Sequence, residues 1–268
     1  MKRARLSAGL LSAMLAVAGQ PPTMANAQTA PAAPAIDSEA IDALNKMGAY
    51  LRTLNAFQVK ATVTTEEVLT DGLKVQLTNT SDLIAERPNH LRLDVTSDSK
   101  QRLFLYDGKT FTLFAPRSSM YATVPAPATI AELADRLEEK YDIELPFVDL
   151  FRWGTPKSAV NEITVADYIG PSVVAGITCD HYVFRQPGLD WQIWIQSGDF
   201  PLPLKLVLTT TTDDARPQHS AVYAWNLAPS VSDDAFAFVP PKDAMKISIA
   251  EVDAMRAAAK KTKAGGQQ

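Results

Sequence analysis

Cys179 and His181 stand two residues apart, so on an extended strand their side chains share a face and could form a thiolate–imidazole pair. A cysteine nucleophile also needs an oxyanion hole and an orienting group, and no local signature supplies either. A small buried hydrophobe is the plainer reading of Cys179. The three histidines, His90, His181 and His219, fall in separate strand-like segments without H-x-x-E-H or H-E-x-x-H spacing. Neither a metal centre nor a cofactor is expected from them. Glu138 and Glu139 are adjacent carboxylates, but neighbouring helix residues point in different directions and Lys140 follows, which describes a solvated face. Asp107-Gly108 suits a hairpin turn, because both residues tolerate positive φ. With no glycine-rich phosphate loop and no G-x-S-x-G elbow, the expected function is not enzymatic, and no catalytic residue is assigned.

The elements that would position these residues begin after a leader. Of 268 residues, 46% are hydrophobic, with 26 Lys and Arg against 30 Asp and Glu, the composition of a folded globular protein. Lys2, Arg3 and Arg5 precede an apolar run, Leu6 to Ala18, that leads to Ala25-Asn26-Ala27, a small-x-small cleavage site. Residues 1–27 therefore read as a secretory signal peptide. Its removal leaves 23 bases against 30 acids, which excludes nucleic acid as a partner. Nothing after it offers the run of about 20 apolar residues that a membrane-spanning helix needs. Cys179 is the only cysteine, so neither an intramolecular disulfide nor an N-terminal lipid anchor is available. A soluble periplasmic protein that does not span the membrane is expected.

Residues 28–37, small and proline-rich, read as a flexible leader. The spacing of Ile41, Leu44, Met47, Leu51 and Leu54 predicts an amphipathic helix over 38–54, with Asp37 or Ser38 as its cap. From Phe57 the period changes to two. Strand-like segments follow over 74–86, 90–97, 101–108, 109–116 and 119–125, separated by hairpin signals. Helical patterning interrupts them over 129–153, where Ile130, Leu133, Ala134, Leu137 and Tyr141 share a face and Thr129 with Glu132 fits a capping box. A second β region runs over 177–186, 189–197, 202–212 and 219–229, and Met245 to Ile249 resembles one further strand. Residues 38–250 form a single domain in this reading, and 251–268 a mobile polar tail.

Some strands are apolar on both faces. Leu103-Phe104-Leu105-Tyr106 and Trp191, Ile193, Trp194 and Ile195 require cover, or a ligand, on both sides. The pattern implies an α+β fold, a large curved antiparallel sheet whose concave face is covered by the 129–153 helices, with the N-terminal helix as further cover. An ordinary packed sheet-and-helix core fits the pattern equally. Phe104, Tyr106, Phe111, Phe114, Phe147, Phe151, Trp153, Trp191 and Trp194, with Leu133 and Leu137 on the helix, are enough to line a lipid-sized cavity and equally enough to fill a core.

The stretch from Ala85 to Pro125 has an Arg-Pro, an aliphatic strand, a short break, a strand ending in Asp-Gly-Lys and an aromatic strand. In order and spacing it resembles the signature of LolA-type periplasmic lipoprotein carriers. The likeness extends more weakly over about 38–250, with the helical insertion where that fold places its lid. The tract from Gly176 to Thr209 looks more like an uncharacterised branch of predicted periplasmic proteins in the same superfamily. The resemblance implies an incomplete β-barrel closed by helices around an apolar cavity for acyl chains. It also implies that Arg87, the residue before the Pro, fastens the lid by gathering helix-end carbonyls with its five fixed donors. A surface Arg at a strand boundary is the plain alternative. The function so implied is a non-enzymatic carrier or sensor taking acyl chains of a lipid, a lipoprotein or another amphiphile, with an envelope protein as a possible partner and a role in outer-membrane biogenesis. The alternative is a structural module with a filled core that binds a partner protein.

Overall fold

A computed structural model describes residues 36–249. The expected signal peptide, most of the leader and the polar tail lie outside the described residues. Helix α1 (Ser38–Thr53) is capped by Asp37, whose carboxylate accepts from the Glu39 amide at 2.8 Å. A meander follows: β1 (Ala56–Val68), β2 (Lys74–Glu86), β3 (His90–Ser97), β4 (Gln101–Asp107), β5 (Thr110–Ala115) and β6 (Met120–Pro125). Two helices come next, α2 (Ile130–Tyr141) and α3 (Asp149–Arg152). The second meander is β7 (Val165–Val174), β8 (Ile177–Gln186), β9 (Leu189–Gln196), β10 (Pro203–Thr210) and β11 (Gln218–Asn226), and β12 (Met245–Lys246) ends the described chain.

Among the described residues these strands form one sheet in the order β12-β6-β5-β4-β3-β2-β1-β11-β10-β9-β8-β7. All neighbours are antiparallel except β12 and β6. The sheet is curved and unclosed, with β12 and β7 at its edges, the incomplete barrel that the likeness to LolA-type carriers implies. Its two meanders join where β1 pairs with β11.

Direct cross-strand partners show which side chains share a face. Phe104, Leu93, Leu83, Val59 and Trp225 form one inner row; Val63, Ala221, Leu206, Ile193 and Tyr182 form another. Helices cover this inner face in two patches. Leu133 and Leu137 of α2, Phe151 of α3 and the segment between them pack on β1 to β6 and β11. Ala40, Leu44, Met47 and Leu51 of α1 pack with β7 to β10.

The predicted capping of α2 is present on the Thr129 side: its hydroxyl accepts from the Glu132 amide at 3.2 Å. The helical region is broken after Tyr141, where Asp142 adopts φ +49, and Pro146 lies before the four-residue α3. A proline cannot donate the bond that would continue the helix. Strand β7 is absent from the sequence reading, and Gly170 and Pro171 interrupt any strand pattern there. It is an edge strand with a bulge between Tyr168 and Gly170, where both residues are tolerated.

The first meander, which holds the two-faced β4, has a second cover. Residues 227–244 return along the outer face of the first meander as a strap. Phe236 is buried with its ring 5.1 Å from that of His90, and Phe238 lies 5.3 Å from Phe114 and 5.0 Å from Tyr121.

Candidate functional site

The two inner patches meet at a seam. Leu54, just past α1, Leu206 on β10 and Trp225 on β11 are half-buried and pack against both. Trp225 is oriented by its indole N–H, which donates to the Pro203 carbonyl at 2.8 Å, and its ring lies 5.6 Å from that of Phe57. Trp153, half-buried after α3, lies 5.8 Å from Trp191. Phe147, in the left-handed region at φ +62, places its ring 6.1 Å from Tyr223. Tyr223 is buried, and burial, followed by the nearby Asp149 charge, holds its phenol well above the usual range.

Two arginines tie the helices at this seam. Arg87, between β2 and β3, donates from Nε to the Leu54 carbonyl at 3.1 Å and from Nη2 to the Leu51 carbonyl at 3.5 Å, and its guanidinium lies 5.1 Å from the centre of the Phe151 ring. It therefore gathers helix-end carbonyls, but they are those of α1. The expectation that it would bond the 129–153 helices in this way is corrected: its hydrogen bonds go to the end of α1, and it meets α3 over the Phe151 ring. Arg52, in the last turn of α1, donates from Nη1 to the Gly154 carbonyl at 2.7 Å and to that of Trp153 at 3.4 Å. Gly48 permits the approach. A methyl group on it would meet the Gly154 nitrogen at 2.8 Å and the Trp153 carbonyl carbon at 3.0 Å.

Phe104, Tyr106, Phe111, Leu133, Leu137, Phe151 and Trp191 all lie on the helix-covered side at 0–8% exposure, as members of the packed patches. Phe147 and Trp153 stand at their margins. Phe114 and Trp194 face the other way, which corrects their assignment to the cavity. Phe111 and Leu113 point inward, so period two sends Phe114 out to the strap. Ile193 and Ile195 likewise send Trp194 out, where His181 stacks on it at 4.0 Å and the Lys205 ammonium lies 4.5 Å from its ring centre. Two grooves of about 510 and 580 Å³ are lined by other residues: Asp135, Glu138, Arg152 and Lys157 in the first, Lys60, Asp82, Arg92 and Asp94 in the second.

The sequence pattern of DUF2092, a family described as predicted periplasmic protein, matches residues 40–250, a span that takes in every described strand and nearly all of α1. The chain belongs to the DUF2092 family. With that membership, the protein is periplasmic. No curated protein sequence matches it. Among solved structures, it is similar to the Mycobacterium tuberculosis lipoprotein LppX at 9% identity, covering 73% of this chain and 100% of that one with a TM-score of 0.46. It is similar to LprF from Mycobacterium bovis at 14% identity, covering 80% and 100%, with a TM-score of 0.46. A LolA superfamily protein from Nitrosomonas europaea aligns at 10% identity over 74% and 97%, with a TM-score of 0.34.

In this DUF2092 chain the cysteine and histidine are not joined. The buried Cys179 thiol points to the Ile177 carbonyl at 3.2 Å, and burial pushes it up, away from the thiolate a nucleophile requires. His181 Nε2 pairs with Gln192 at 3.0 Å, and His219 Nδ1 with the Thr65 hydroxyl at 2.9 Å. Among the described residues no three metal-ligating side chains come together. Asp107 accepts from the Lys109 and Thr110 amides, a turn role, and Glu138 pairs with Arg152 at 2.7 Å. The sequence reading missed Arg52, Leu206 and Trp225. A glycine at position 48, on the buried face of a helix, was the available sign that backbone packs close there.

Proposed function

We propose that this DUF2092 protein is a non-enzymatic carrier or sensor that takes the acyl chains of a lipid, a lipoprotein or another amphiphile between its helices and the inner face of its sheet, with Arg87 as the latch. The observation that supports it most is the seam. Leu54, Leu206 and Trp225 are apolar, inward-facing and half-buried, and they stand where two separately packed patches abut. Each CH₂ of a chain entering there would gain about 0.8 kcal/mol on leaving water. Beside the apolar packing of the helices on the sheet, arginine-to-carbonyl bonds tie the end of α1 to the strand boundary at Arg87 and to the turn after α3 at this place, and we take the seam as the place where the cover opens. Native mass spectrometry of protein purified from the periplasm, with displacement of a fluorescent fatty acid, tests the proposal. Co-purified or displaceable acyl ligand supports it.

A second reading, a module with a filled core that binds a partner protein, is favoured by the near-complete burial of Phe104, Tyr106, Phe111, Leu133, Leu137, Phe151 and Trp191. Absence of both bound lipid and probe binding would decide for it.

A further inference from the structure

We propose that Arg52 and Arg87 together bind the anionic head group, a carboxylate or a phosphate, of the amphiphile whose chain enters the seam; this rests on the acyl-binding reading above. Both arginines direct their described hydrogen bonds to carbonyl groups, and neither has a carboxylate within ion-pair distance among the described residues. Arg152, Arg185 and Arg216, by contrast, are each paired with Asp or Glu. Burial, and after it the charge of Arg52, holds Arg87 below the usual guanidinium range, so the two cations feel one another without a counter-charge between them. Helix-end carbonyls supply only partial negative charge.

The donors still open point to the same conclusion. Arg52 is exposed, and its Nε and Nη2 make no hydrogen bond among the described residues; nor does Nη1 of Arg87. Two guanidinium groups with free donors suit an oxyanion, which can accept from both at once. Position supplies the link to the chain. Arg87 holds the carbonyl of Leu54, whose side chain lines the apolar seam, and Arg52 that of Trp153, whose side chain packs on the α1 patch beside it. An anion on the guanidinium pair would thus have its tail beside Leu54 and Trp153. This assigns the ligand class: a single-headed anionic amphiphile is preferred over a neutral one.

The test uses the mature protein and three ligands with the same chain, dodecanoate, dodecyl phosphate and dodecanol, each displacing the neutral probe N-phenyl-1-naphthylamine at pH 8. Because Arg52 also ties α1 to the turn after α3, the ratio of anion to alcohol affinity is the readout. Wild type should prefer both anions by about tenfold or more, and added salt should shrink the preference. Arg52→Gln and Arg87→Gln should each reduce the ratio toward one, while Arg52→Lys retains most of it. The ranking of dodecanoate against dodecyl phosphate separates carboxylate from phosphate. Equal affinity of wild type for alcohol and anions would overturn the head-group site and leave acyl binding standing; binding of none would overturn both. A preference unchanged in both glutamine variants would remove the assignment to this pair. Should those variants fail to fold, the wild-type ratio and its salt dependence still decide.

Discussion

His181 and His219 are both held below the ordinary imidazole value of about 6.5, chiefly by burial. The folded protein therefore resists charging them. As pH falls through about 6.5 the unfolded chain binds protons first, so stability present above that pH is lost on acidification. The urea midpoint should fall between pH 7.5 and pH 5, and the fall should shrink in His181→Gln combined with His219→Gln; an unchanged slope in that double variant would contradict the assignment. Cys179→Ser should leave acyl binding intact and cost about 1 kcal/mol, because a hydroxyl can replace the thiol in its bond to Ile177. A shift in denaturation midpoint without a change in slope is the expected signature. At this scale the sequence was partly legible. A lone cysteine without supporting groups could be read as buried packing, whereas Arg87 was singled out only by the resemblance that its Arg-Pro motif carries. Which carbonyls Arg87 meets depends on where a helix 33 residues away in sequence comes to rest, and nothing local to Arg87 encodes that.

Among the elements, α1 carries a contradiction that can be measured. Alanine in a helix interior is favoured over glycine by about 1 kcal/mol, yet a methyl group on Gly48 would press on the backbone of Trp153 and Gly154. Gly48→Ala should therefore destabilise, by about 1–3 kcal/mol for an overpacked contact. A gain in stability would show that α1 and the turn after α3 are not held together. Arg87→Leu removes bonds from a charged donor worth roughly 1.5–3 kcal/mol and should loosen α1 at its C-terminal end. Far-UV circular dichroism should stay the same while a bound fatty-acid probe exchanges faster; equal exchange would remove the latch. Periodicity and caps placed α1 to within a residue of its end, and hairpin signals placed β2 to β6. They failed at β7, where edge position excuses a Gly-Pro pair, and across 142–148, where Ile143, Leu145, Phe147 and Val148 carry apolar residues through a break.

For the molecule as a whole, the strap is the part that local pattern could least foretell. Arg92 alternates outward on β3 like a surface residue, yet it donates to the Ala235 carbonyl at 3.3 Å because residues 227–244 pass over it. Phe236→Ala, deleting a side chain that is 2% exposed, should cost about 3–5 kcal/mol, read from the thermal or urea transition. The pairing of β1 with β11 joins residues some 160 positions apart, Gln58 with Asn226 and Thr65 with His219 among them. Synthesis delivers the chain amino end first. The first six strands can zip up as consecutive hairpins before the second meander has emerged, and throughout that interval one side of β1 stands unpaired. Its free backbone groups are what a misdirected strand of another copy would seize. Lys60, Glu66 and Glu67 along β1 are the kind of charges that discourage such a pairing.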